Sequence, residues 1–117
     1  MTDIIKSIDQ GTVAPLYYLS GENVGRVEDV IERLKQKLFG GREDDFNLGL
    51  FDAQVHGPPD IIQTARTVPF GAARRLVVVK RAHAWKDSQW QSFEDYFSKP
   101  SAQSCLVFAA EKQVLKG

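Results

Sequence analysis

The chain has 117 residues, 15 basic side chains against 15 acidic ones, and a single cysteine. That length supports one hydrophobic core and hardly two, and a composition 43% hydrophobic and 26% charged is that of a folded domain rather than a disordered chain. Zero formal net charge argues against a protein that holds DNA or an anionic membrane by bulk electrostatics. A lone Cys105 excludes an internal disulfide and any multi-cysteine zinc site, and it suits a reducing compartment. The longest apolar runs, Leu76 to Val79 and Cys105 to Ala110, are far too short to span a bilayer. The N-terminus carries charges where a signal peptide needs an apolar stretch. One cytoplasmic domain is expected.

In chain order, Ile4, Ile5 and Ile8 predict a short helix that packs beside the core. Leu16-Tyr17-Tyr18-Leu19 follows Pro15 and ends at Ser20-Gly21, which reads as a short buried strand and a turn. From Val24 to about Phe39 the apolar residues Val24, Val27, Val30, Ile31, Leu34 and Leu38 recur every three or four positions. Charged residues fill the gaps, so the segment is an amphipathic helix. Asn23 is placed to cap its start and Gly40-Gly41 to stop it.

Leu48-Gly49-Leu50-Phe51 is a weaker, mixed run and predicts an edge strand. Gly57-Pro58-Pro59-Asp60 opens a short helix that points Ile61, Ile62, Ala65 and Val68 inward and is halted by Pro69. Leu76-Val77-Val78-Val79 is β-branched and apolar on both faces, as a central parallel strand must be. Ser88 and Gln91 form a capping-box pair for a helix that carries Trp90, Phe93 and Phe97 on one face and ends at Lys99-Pro100. Cys105 to Ala109 reads as a last buried strand. The alternation predicts an α/β fold: a parallel sheet of four to five strands with helices on both faces. Glu111 to Gly117 looks like the start of another element, as expected of one domain, residues 1–117, of a larger protein.

Ligands of open α/β sheets sit at the carboxyl ends of the strands. After the first strand, a phosphate-binding loop counted from Gly21 would place its last three residues at Arg26, Val27 and Glu28. The required lysine and hydroxyl are both missing, and a carboxylate repels phosphate. Gly21 and Gly25 read as turn and helix-packing glycines, and no nucleotide cofactor is expected. After the third strand, Lys80-Arg81 stand where a P-loop ATPase needs an acidic metal ligand. His56 and His83 are isolated, read as exposed loop histidines, and predict no metal site. Cys105 belongs to the core. No catalytic site is expected.

What remains is binding surface. Arg74, Arg75, Lys80, Arg81 and Lys86 are clustered in sequence, either as a solvated rim or as a strip for nucleic acid or an acidic partner. Thr67-Val68-Pro69-Phe70-Gly71 puts an aromatic between Pro and Gly, where no core periodicity requires one. Phe70 either is exposed as an interface anchor or folds back under the sheet. Trp85 poses the same question, whereas Trp90 reads as core.

Pro15 to Glu22, Asp45-Phe46-Asn47-Leu48, Thr67-Val68-Pro69-Phe70, and Arg74-Arg75 leading into Leu76 to Lys80 together resemble the N-terminal domain of bacterial DNA polymerase III delta subunits. The likeness runs across nearly the whole chain, to Glu111-Lys112, and departs from the common pattern at Gly71-Ala72-Ala73 and at Pro69, where some members carry leucine. It implies an AAA+-like fold with a decayed nucleotide site in a clamp-loader subunit that grips the sliding clamp, the beta subunit, and favours its opening. It further implies that Val68, Pro69 and Phe70 are the clamp-binding element, with Phe70 as its aromatic plug. The other loader subunits, delta prime and gamma/tau, are implied partners, and DNA lies nearby within the loader. Two alternatives stay open: a divergent P-loop ATPase, and a nucleic-acid-binding domain using Arg74, Arg75, Lys80 and Arg81.

Overall fold

A computed structural model describes residues 2–21, 24–40 and 46–111. Four strands, β1 (Leu16–Gly21), β2 (Leu48–Asp52), β3 (Arg75–Lys80) and β4 (Ser104–Glu111), form one parallel sheet in the order β1-β4-β3-β2. The helices are α1 (Thr2–Asp9), α2 (Val24–Phe39), α3 (Pro58–Arg66), α4 (Asp87–Gln91) and α5 (Glu94–Ser98), with a 3-10 turn at Ala82–Ala84. The α/β architecture is the one the apolar runs predict, and the central position of β3 follows from its two-sided apolar character.

Strand alternation splits each central run between two cores. Leu76 and Val78 of β3, with Cys105, Val107 and Ala109 of β4, face Ile8 of α1 and Val27, Val30, Ile31 and Leu34 of α2. Val77 and Val79, with Leu106 and Phe108, face Ile61 and Ala65 of α3 and the aromatic group Trp85, Phe93 and Tyr96. Gly40 ends α2 with a φ of +65°, a left-handed conformation that glycine adopts without a Cβ penalty. The expected cap at Asn23 and the second stop residue Gly41 lie outside the described residues.

Several expectations need correction. The first strand is an edge strand among those described, with Leu19 buried and Tyr18 open to solvent. Leu16, Tyr17, Tyr18, Trp90, Phe97 and Phe108 line an open apolar groove of about 470 Å³ beside it. The helix carrying the aromatic face starts at Asp87, one residue before Ser88. Its cap is Lys86, whose backbone N–H donates to the Gln89 side chain at 2.9 Å, so the Ser88–Gln91 pair does not open it. That helix is also broken in two, because Ser92 and Phe93 donate to carbonyls three residues back, in the tighter 3-10 manner. Trp85 is buried, and Trp90, read as core, is half-buried between that core and the groove.

Candidate functional site

The chain leaving α3 carries two of the exposed large apolar side chains among the described residues. Thr67 turns extended at the helix end, as suits a segment approaching a proline, and Gly71 reverses the chain with a φ of +78°. Between them Val68 is 64% exposed and Phe70 is 77% exposed, while Pro69 is half-buried. Val68 therefore does not continue the inward face of α3; the helix stops at Arg66, two residues too early to carry it inside. Of the two positions open to Phe70, the structure adopts the exposed one.

Phe46, just ahead of β2, is 78% exposed and lies against Phe70, with ring centroids 6.3 Å apart. Sequence reasoning assigned it no role; the signal was an aromatic just before a mixed strand. Asn47, the residue after Phe46, has no exposed surface. Its Nδ2 donates to the Phe70 carbonyl at 2.8 Å, and its Oδ1 accepts from the Phe70 N–H at 2.8 Å. Asn47 is itself fixed to β3, because the Leu76 N–H donates to its carbonyl at 2.8 Å.

The basic residues do not form a strip. Arg74 and Arg75 lie at the amino-terminal end of β3, and Lys80 and Arg81 lie at its other end, roughly 16 Å away at about 3.3 Å per residue. Arg74 donates to the Val13 carbonyl at 2.8 Å, tying down the approach to β1. Arg75 spreads its guanidinium over the loop, donating to the carbonyls of Phe46 at 2.7 Å, Thr67 at 3.1 Å and Val68 at 3.1 Å. Arg81, in the left-handed conformation at φ 56°, pairs with the Asp52 carboxylate at the end of β2. That hydrogen bond, helped by the Gln54 N–H, holds the Asp52 carboxyl down to about 2. Lys80 is exposed and borders a small cleft with Glu28, Glu32 and Lys35.

The histidines differ from one another. His83 is exposed as expected, but His56 is half-buried, stacked edge-on to Phe51 and accepting the Asp52 N–H on Nδ1 at 3.1 Å. Burial pushes the Cys105 thiol up to about 12, so it stays protonated and unreactive at neutral pH. Among the described residues, no group of three or more His, Cys, Asp or Glu is placed to hold a metal. Nor is any described helix long and apolar enough to cross a membrane.

A family model described as DNA polymerase III, delta subunit, matches residues 17–116. The chain belongs to the DNA polymerase III delta subunit family. It is 28% identical to DNA polymerase III subunit delta of Bacillus subtilis, over 97% of this chain and 35% of that protein. The solved DNA clamp loader delta protein of Bacillus subtilis superposes with a TM-score of 0.82, at 28% identity, over 99% of this chain and 37% of that one. A DNA polymerase III gamma subunit-related protein from Thermotoga maritima shares the fold, with a TM-score of 0.72 at 12% identity over 95% of this chain and 39% of that one. The chain thus spans little more than a third of the length of these relatives.

Proposed function

We propose that this chain is the clamp-binding module of a clamp-loader delta subunit and works without catalysis of its own. Val68 and Phe70, stiffened by Pro69, insert into an apolar pocket on the sliding clamp. A ligand shifts an equilibrium only by its differential affinity for the two states, so the loop must fit the opened or strained ring better than the closed one. The observation that carries this reading is a phenylalanine left 77% exposed at a helix end. A buried aromatic anchor is worth about 2 kcal/mol or more, which is enough to bias a ring interface.

The setting is the bacterial cytoplasm, with the beta clamp as direct partner and delta prime and gamma/tau as neighbours in the loader. A P-loop ATPase reading is disfavoured by the missing lysine and hydroxyl at Arg26-Val27-Glu28. Direct DNA binding is disfavoured by the internal engagement of Arg74, Arg75 and Arg81. Calorimetric titration of the cognate clamp with the chain tests the proposal. Saturable binding is expected, and undiminished binding by Phe70→Ala would overturn the assignment of that ring.

A further inference from the structure

We infer that Asn47 and Arg75 are positioning residues that hold Phe46 and Phe70 as one preformed two-ring anchor. This inference rests on the docking reading above. It explains why a loop with two large apolar side chains in water does not collapse onto the sheet.

Exposed aromatics in a free loop would sample many arrangements, and binding would have to order them at a cost of about 0.5–1.5 kcal/mol per side chain. Here the ordering is built in. The Asn47 amide offers Phe70 one acceptor and one donor, the pair that a neighbouring strand would supply, and it does so from a fully buried position. A hydrogen bond of this kind cannot be exchanged cheaply for water, because a buried amide left unpaired bears its full desolvation cost. Arg75 adds three donors, and its targets belong to both ring-bearing segments: Phe46 on one side, Thr67 and Val68 on the other. The guanidinium is a planar fork with fixed donor directions, so it sets the spacing of the two segments as well as joining them. Both residues are anchored to the same strand end, Arg75 as the first residue of β3 and Asn47 through its carbonyl to Leu76. Phe46 and Phe70 are 24 residues apart in sequence, yet they ride on a single support. The anchor is therefore wider than the segment 68–70, and Phe46 forms part of its contact surface.

Two measurements decide this. The first uses the free chain and amide hydrogen exchange. The Phe70 amide is expected to be protected, and Asn47→Ala to speed its exchange by about tenfold or more, with the amides of Leu76 to Val79 unchanged as the check that the fold persists. The second uses clamp affinity. Asn47→Ala is expected to weaken binding about fivefold in the wild-type background but by less than about twofold when Phe70→Ala is already present, since positioning matters only while the ring is there. Asn47→Asp keeps the acceptor and restores part of the Phe70 amide protection, and Arg75→Lys keeps charge but not the fork; they serve if Asn47→Ala fails to fold. Unchanged Phe70 exchange in Asn47→Ala, or in Arg75→Lys where Asn47→Ala does not fold, overturns the brace. Faster exchange with unchanged affinity, or costs that simply add to that of Phe70→Ala, overturns its role in docking. Intact affinity in Phe70→Ala alone overturns the docking reading, and the exchange result then stands by itself.

Discussion

The two ends of β3 make opposite use of their surroundings. At the carboxyl end, where open α/β sheets usually keep their ligand site, Arg81 is paired with Asp52 and Gln54 caps the same carboxylate. The Asp52 and Arg81 side chains there satisfy one another. At the amino end, polar groups are pulled inward to support the backbone, and the side chains left in water are apolar: Phe46, Val68 and Phe70. The contrast teaches that the surface offering a partner something to gain is the one where the polar side chains are turned to the backbone and apolar area is left uncovered. In this delta-family chain that surface lies opposite the usual crevice.

Removing what both ends share should have the largest effect. Leu106 on β4 is fully buried between β1 and β3, so Leu106→Ala should cost about 2–5 kcal/mol in a denaturant titration and degrade both ends together. Phe70→Ala separates them: clamp affinity should fall about tenfold or more, the equivalent of about 1.4 kcal/mol or above. Its unfolding midpoint should barely move, because the ring is exposed; a large drop in stability would mean that the amino end is core after all. Lys80→Ala at the other end should change clamp affinity by no more than about 0.5 kcal/mol, and a larger loss would extend the interface across the sheet.

The smallest effect is on pH. Asp52 has its pKa depressed from 3.8 to about 2, first by the Arg81 hydrogen bond. The stabilisation is therefore fully present above the ordinary value and is lost as pH falls through about 2. Stability measured from pH 5 downward should decline less steeply below pH 4 in Asp52→Asn than in the wild type, whose exposed ion pair makes a small contribution. Identical slopes would show that the pair at the carboxyl end adds nothing.

Much of this molecule was legible from residue order. Runs such as Leu76 to Val79 are apolar on successive residues, and alternation then sends them to two faces, so a central parallel strand was the natural reading. The edge position of β2 was legible in its weak pattern. The start of the helix was misplaced by two residues, its cap being Lys86 rather than Ser88, because Lys86 caps through its backbone, and a rule about side-chain types does not see that. The basic residues looked like a cluster because they are close in sequence, but a strand rises about 3.3 Å per residue and carries its two ends far apart.

By itself, then, the sequence determined the α/β class, the helical and strand periods, the burial of Cys105, the missing P-loop lysine and hydroxyl at Arg26-Val27-Glu28, and the likeness to delta subunits. These depend on side-chain type and local spacing, which a linear chain displays directly. Only the tertiary structure decided that Trp85 is inside while Phe70 is outside, that Arg75 serves the loop, and that Asn47 joins two segments into one support. Each of those outcomes depends on a hydrogen bond or a packing contact between residues distant in sequence, such as Asn47 with Phe70 and Arg75 with Phe46. The energies that fix them exist only once the sheet has brought the partners together.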